Sequence, residues 1–219
     1  MWLIKNDVGI PLDSMIDAYD NMIGNYPAFW PVPHEYRGWS IQSHSGEVAD
    51  GWQRIANYRD QNGTAPESMQ MLIDRGFTPD SWHTNPTPLY NSVFGQLIDS
   101  CNSDMLVLFR SRVLEIAPGV NTGLMCDALH PGDYAARIIV PLITSTGFNV
   151  IDDDNTMHSM SEAGNMYLID TSKHFQLVNF SSNTVVVFMA RVIDRAGSTP
   201  LPAPPAAETA WLAERQLRP

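Results

Sequence analysis

Lysine is almost missing from this chain. Of its 219 residues only Lys5 and Lys173 are lysine, and the formal net charge is -11 at pH 7. Binding to the nucleic-acid backbone or to an anionic membrane surface depends on clustered positive charge. The composition therefore argues against nucleic acid and membrane as partners and leaves small molecules and other proteins.

Cysteine and long apolar runs are also scarce. Cys101 and Cys126 are the only cysteines, they form no CxxC pair, and two cysteines do not make a disulfide framework. No window approaches the roughly 20 apolar residues of a membrane-spanning helix. The first residues lack the apolar stretch of a secretory signal. The expected location is therefore the cytoplasm, as a soluble protein with reduced thiols.

Several common enzyme signatures are absent from the sequence. Its composition, with 44% hydrophobic and 17% charged residues, is typical of a globular domain. There is no GxSxG elbow, no P-loop and no GxGxxG. Ser43, His44 and Glu47 lie together in SHSGE, but residues so close in sequence rarely form a catalytic triad. The acidic run 152–154, followed by His158, is typical of a solvated turn, because it lacks the Gly and distal Glu of a calcium loop.

The first half of the chain mixes helical and irregular patterns. Apolar spacing predicts a helix over 12–23, a second over 68–77 that ends at Gly76, and a third over 87–101 that begins near Pro88. The Pro-rich, aromatic stretch 25–36 is expected to be irregular, and 37–46 reads as a strand. We predict that residues 1–104 form a helical layer packed on the core.

The sequence pattern changes from helical and irregular to strand-like after residue 105. Strand-like runs begin at 105 and 137, and FNVIDDD, GNMYLID, HFQLVNFS and TVVVFMARVID follow at short spacing. We therefore predict a mainly β fold, a cupin-like jelly-roll or double-stranded β-helix over residues 105–196. Residues 197–219 read as a Pro-rich linker and a short helix with Trp211 and Leu212. That helix either docks on its own domain or binds a neighbouring subunit to form an oligomer.

Three segments of the core resemble one known family. LEIAPG (114–119) is similar to its Pro-Gly turn, RIIVPLIT (137–144) to its R-x-H-x-P-L-x-T strand, and GNMYLID with KHFQLVNFS to its distal strand pair. The family is the aspartyl/asparaginyl β-hydroxylases, a branch of the Fe(II)- and 2-oxoglutarate-dependent oxygenases. The resemblance implies a dioxygenase that uses both cofactors to hydroxylate an amino-acid or peptide side chain.

The resemblance also implies a metal site of two histidines and one carboxylate, the set that suits non-haem Fe(II). His174 matches the distal ligand. The proximal position, about six residues beyond the Pro-Gly turn, falls on Met125, with Asp127 two residues later. If the loop is shifted, His130 becomes the proximal ligand, with Asp127 or Asp133 as carboxylate. The predicted ligand set is His174, His130 and Asp127. From the residues alone, both histidines are equally compatible with ordinary turn or loop positions.

The 2-oxoglutarate site is implied less completely. The family places an Arg about ten residues past the distal His, and Thr184 stands there in this chain. Arg137 matches another Arg of the family and could reach into the barrel, whereas Arg191, at an odd offset from Thr184, is predicted on the opposite face. We therefore predict Arg137 and Thr184 as the co-substrate residues. The alternatives are a catalytically inactive binding or assembly module that keeps the fold, and a cupin-like enzyme with another metal.

Overall fold

A computed structural model describes residues 3–32, 35–50, 83–102, 106–125, 127 and 135–194. In chain order the elements are β1 Leu3–Asp7, α1 Leu12–Asn25, β2 Phe29–Val32, β3 Tyr36–Ser40, β4 Gln42–Ser43, β5 Asn85–Pro86, a 3-10 turn Pro88–Asn91, α2 Val93–Cys101, β6 Leu106–Ile116, β7 Ala136–Ile143, β8 Phe148–Asp152, β9 Met157–Ser159, β10 Asn165–Asp170, β11 Phe175–Asn179 and β12 Val185–Asp194.

Two antiparallel sheets form the core. The larger has the order β1-β10-β7-β12-β6-β3-β2, and the smaller has the order β11-β8-β9. The chain moves back and forth between the sheets, since β6 and β7 lie in the first, β8 and β9 in the second, β10 in the first, β11 in the second and β12 in the first. Strands that alternate in this way wind a double-stranded β-helix.

Residues 119–125 complete the smaller sheet beside β11. Gly119, Thr122 and Met125 donate their backbone N–H groups to carbonyl oxygens of Asn179, Leu177 and Phe175 at 2.8, 3.0 and 2.8 Å. Gly119 has a φ of 75°, which a glycine adopts at no steric cost, so the Pro-Gly turn can send the chain from β6 to the opposite sheet. The predicted jelly-roll fold class is confirmed.

The interior of the barrel and the outside of the larger sheet are separate apolar cores. On β12, Val185, Val187 and Met189 face the interior, and the alternate residues pack on the other side. A strand buried on both faces is continuously apolar, which explains the run VVVFMA. Helices α1 and α2 cover the core outside the sheet, and the Phe94 ring of α2 stacks on Phe188 at 5.9 Å.

The helical N-terminal layer is present, and α1 lies close to its predicted bounds. The helix predicted over 87–101 is divided into the 3-10 turn Pro88–Asn91 and α2, which begins at Val93. The predicted helix over 68–77 and the tail after residue 196 lie outside the described residues, and the domain boundaries stay a prediction. β1, β2 and β3 also add strands to the larger sheet, so this region extends the sheet as well as covering it. None of the described helices is long and apolar enough to cross a membrane.

Candidate functional site at the arginine-lined end of the barrel

The apolar lining of the barrel interior gives way to charged side chains toward the end of β12. Arg191 lies directly opposite Arg137 of β7, and Met189 lies opposite Arg112 of β6. Residues that pair across strands share a face of the sheet, and Met189 belongs to the interior core. All three arginines therefore face the interior, and each is less than a tenth exposed.

Asp127 and Arg137 form a bidentate ion pair at this end. Arg137 donates from Nε to Oδ2 at 2.6 Å and from Nη2 to Oδ1 at 2.8 Å. Its Nη1 lies 3.3 Å from the sulfur of Met189, and its guanidinium carbon lies 5.2 Å from the centre of the Phe175 ring. The backbone N–H of Asp127 donates to Thr171 at 2.9 Å. Carboxylate and guanidinium are thus both saturated and buried.

Further arginines surround this pair. Arg191 donates to the backbone oxygen of Asp127 at 3.0 Å, and burial lowers its pKa to about 9. Burial, and next the charge of Arg137, lower the pKa of Arg110 to about 9. The pKa of Arg112 falls well below its ordinary value through burial and the charges of Arg110 and Arg137. The lowered pKa values of these arginines indicate a region of positive potential inside an acidic protein.

The N-terminal layer contributes a histidine to the edge of this region. His83 is fully buried, and its backbone oxygen accepts from the N–H of Arg110 at 2.8 Å. Burial, and next the charge of Arg110, lower the pKa of His83 to about 4, while Asp50 acts in the opposite direction. Neutral imidazole is therefore the form that this environment favours.

The predicted site residues are divided between the inside and the outside of the barrel. Arg137 and Asp127 lie together in the interior. His174 precedes β11 and is exposed, whereas the next residue, Phe175, is fully buried against Arg137. Thr184 is likewise exposed, just before β12. His130 lies outside the described residues, so the ligand set of His174, His130 and Asp127 stays a prediction.

The residues described at this end do not fit a divalent metal ion. Met125 and Phe175 face each other across the two strands, and neither offers the nitrogen or oxygen ligand that iron prefers. Both oxygens of Asp127 are already held by Arg137.

Within the described residues, the one trio of His, Cys, Asp or Glu side chains close enough to share an ion is Asp152, Asp153 and Asp154. Asp152 accepts from the backbone N–H groups of Asp154 and Thr156 at 3.1 and 2.9 Å and lies 3.0 Å from His158. The acidic run thus forms a turn, but only Asp153 and Asp154 are exposed as predicted for a solvated turn, whereas Asp152 is buried.

Sequence reasoning missed three arginines. The odd offset between Thr184 and Arg191 predicts that the two side chains lie on opposite faces, and Thr184 was expected to face the site. In the structure Thr184 is exposed and Arg191 is buried, so Arg191 is the one that faces the barrel interior. Arg112 could have been found from the period of two in β6, because it shares a face with Leu114 and Ile116 of the interior core. Arg110 has a φ of 50° and lies where the pairing of β6 with β12 shifts register.

No protein-family model matches the sequence, and no curated protein matches it. The fold is similar to solved structures of 2-oxoglutarate Fe(II) oxygenases. One is an oxidoreductase of that family from Burkholderia pseudomallei, with 14% identity, a TM-score of 0.47, and coverage of 87% of this chain and 83% of the other.

Another is the prolyl hydroxylase from Trichoplax adhaerens in complex with a hypoxia-inducible-factor peptide, with 10% identity, a TM-score of 0.47, and coverage of 90% of this chain and 87% of that one. A cupin domain from Bordetella pertussis matches with 13% identity and a TM-score of 0.31 over 42% of this chain and 85% of its own. One architecture hosts many activities, so function has to be argued from the residues of the site.

Proposed function

We propose that this chain is a non-catalytic binding module built on an oxygenase-like jelly-roll, and that its arginine-lined end holds a small carboxylate-bearing molecule without iron. One observation carries the proposal. Asp127, the carboxylate of the predicted metal site, is held in a bidentate ion pair by Arg137, whose guanidinium lies over the Phe175 ring. Side chains of this kind position a carboxylate and do not activate oxygen.

The class of ligand follows from the charges around the ion pair. Arg110, Arg112 and Arg191 are buried close to Asp127 and Arg137. Burial, and next the charges of neighbouring arginines, lower the pKa of Arg110 and Arg112. An anion bound among them would offset that repulsion. A guanidinium fork matches the geometry of a carboxylate, so a dicarboxylate such as 2-oxoglutarate is the expected ligand class.

A second candidate is an Fe(II)- and 2-oxoglutarate-dependent hydroxylase of an amino-acid or peptide side chain. The position of Arg137 in the barrel interior favours it, because the family resemblance matches this residue to another Arg of the family and predicts it as a co-substrate residue. Thr184, the other predicted co-substrate residue, is exposed just before β12. In this candidate His174, His130 and Asp127 would hold the iron, and Asp127 would have to exchange Arg137 for the metal.

One set of measurements separates the two candidates. We expect purified protein to bind 2-oxoglutarate in a calorimeter with EDTA present, and to give neither a visible charge-transfer band with anaerobic Fe(II) nor succinate in air. Arg191→Met should abolish binding, while Lys173→Met, which removes an exposed cation, should not. Stoichiometric iron, the band and succinate would establish the hydroxylase instead. Absence of 2-oxoglutarate binding would reject the ligand class.

The tail adds an assembly role to this proposal. Its Pro-rich sequence with Trp211 and Leu212 is suited to reaching a neighbouring subunit. We expect light scattering to show an oligomer that loses subunits when residues 197–219 are deleted. If the deletion variant keeps the same number of subunits, the oligomer forms through another surface. If the full-length chain is a monomer, the assembly role is rejected.

A further inference from the structure

We infer that the guanidinium of Arg137 takes the place of a metal cation in this barrel, and that Met125, Asp127 and Phe175 stand at the three positions from which a metal would be ligated. The inference rests on the proposed lack of a resident metal and goes beyond it. Arg137 occupies the position of the metal, and the ligand positions fall on residues other than His130 and His174.

The backbone brings the three positions together. Met125 and Phe175 exchange two hydrogen bonds, each of 2.8 Å, so they are a directly opposed pair on neighbouring strands. The side chains of such a pair lie on one face with their Cβ atoms about 5 Å apart. Phe175 faces the interior, and Asp127, two residues after Met125, also reaches it. A carboxylate and two further side chains therefore converge on one volume.

Arg137 fills that volume. Its guanidinium meets both oxygens of Asp127, the face of the Phe175 ring and the sulfur of Met189. An anion, a π face and a thioether are each groups that interact favourably with a cation. Arg137 extends from β7 of the larger sheet and contacts Phe175 of β11 in the smaller sheet, so this cation connects the two sheets as a metal would.

The same arrangement excludes a metal ion. The fork of Arg137 occupies both carboxylate oxygens, and Arg112 and Arg191 add two further positive charges at the same end of the barrel. A divalent ion would have to displace Arg137 and would meet this repulsion at low dielectric. Removal of the guanidinium should therefore strengthen the binding of any metal at this position.

Rebuilding the ligands tests both halves of the inference. We expect the triple variant Met125→His, Phe175→His, Arg137→Met to bind one Co(II), seen by its visible absorption and by calorimetry. The double variant that keeps Arg137 should bind Co(II) at least about tenfold more weakly, because the guanidinium opposes the ion. Arg137→Met alone is the control. Equal affinity of the double and triple variants, or no Co(II) binding by a folded triple variant, would overturn the inference.

Chemical rescue tests the role of the Arg137 guanidinium without new metal ligands, in case the triple variant does not fold. We expect Arg137→Gly to have a lowered melting temperature that low-millimolar guanidinium raises above the value in equimolar sodium chloride, with no such rise in the wild type. Failure of guanidinium to rescue this variant would overturn the role of the built-in cation. Iron in the wild-type protein would overturn the proposed function and this inference together, whereas failed rescue in an iron-free protein would overturn the inference alone, so the two failures are distinguishable.

Discussion

The side-chain amide of Asn179 donates to the backbone oxygen of Ile116 at 3.0 Å, although 63 residues separate them in sequence. The same nitrogen donates to Ala117 and Asn183 at 3.1 and 2.9 Å, and the amide oxygen accepts from the backbone N–H of Ser181 at 3.1 Å. Asn179 is fully buried. It therefore fastens the ends of β6 and β11 and the start of β12 together, at the end of the barrel away from Arg137.

Replacing Asn179 should be costly. Asn179→Ala removes three hydrogen bonds to carbonyl oxygens and the acceptor of the Ser181 N–H, so we expect unfolding free energy to fall by about 2–4 kcal/mol in urea titrations. Asn183→Ala, which removes an exposed amide and keeps the accepting carbonyl, should change it by less than about 0.5 kcal/mol. Similar costs for the two variants would mean that the Asn179 network contributes little.

The core strands could be read from the sequence because their burial pattern is simple. β12 is apolar at every position from Val185 to Ala190 since both of its faces are covered, and such a run is recognisable. The stretch FWPV was expected to be irregular and forms β2, at the edge of the larger sheet. Proline is tolerated there because an edge strand leaves one side without a ladder partner. β1 carries no comparable signal, as LIKND is short and polar at its end.

The site was harder to predict, because it depends on register and on contacts between distant segments. His174 and Phe175 are neighbours, and a shift of one residue moves a side chain to the other face of a strand. Burial of Phe175, Leu177 and Asn179 at every second position sets the face that points inward. The Asp127–Arg137 pair joins the segment beside β11 to β7, and no local pattern predicts such a pairing.

The buried histidine predicts a pH dependence of stability. The pKa of His83 is about 4 in the folded protein, against an ordinary value of 6.5. A depressed pKa means that the unfolded chain takes up the proton first as the pH falls. The contribution of neutral His83 to the free energy of unfolding is complete above pH 6.5 and is lost as the pH falls toward 4. The slope is at most about 1.4 kcal/mol per pH unit for one proton.

The measurement is unfolding free energy in urea at several pH values between 7 and 4. His83→Gln should lower stability at pH 7 and flatten this slope, because glutamine fills a similar volume and does not titrate. His174→Gln, which removes an exposed histidine, is the matched control. If the slope is the same in His83→Gln as in the wild type, the pH dependence arises elsewhere.

The contact between Phe94 and Phe188 should be the main attachment of α2 to the larger sheet. Their rings are nearly parallel, at an angle of 5°, and both side chains are buried. Phe94→Ala should lower unfolding free energy by about 3–5 kcal/mol through lost burial and the cavity left behind. Gln96→Ala, exposed on the same helix, should change it by less than about 0.5 kcal/mol. A cost for Phe94→Ala as small as that of the control would contradict this attachment.

The Asp127–Arg137 pair should be strongly coupled, because both members are buried and removal of either one takes away the bidentate partner of the other. Arg191, whose Nη2 lies 3.7 Å from Oδ1 of Asp127, is a further cation near the carboxylate. We expect Asp127→Asn and Arg137→Met each to cost about 3–5 kcal/mol of unfolding free energy, and the double variant to cost clearly less than their sum. Urea titrations of the four proteins give the coupling energy.

The partly exposed pair of Arg37 and Glu115, whose side chains are 34% and 14% exposed, is the matched control. Its cycle, with Arg37→Met and Glu115→Gln, should give a coupling of about 1 kcal/mol or less because solvent screens it. Additive costs at Asp127 and Arg137 would mean that other charges in the barrel compensate each of them separately. That result would count against a single cation and anion organising this end of the fold.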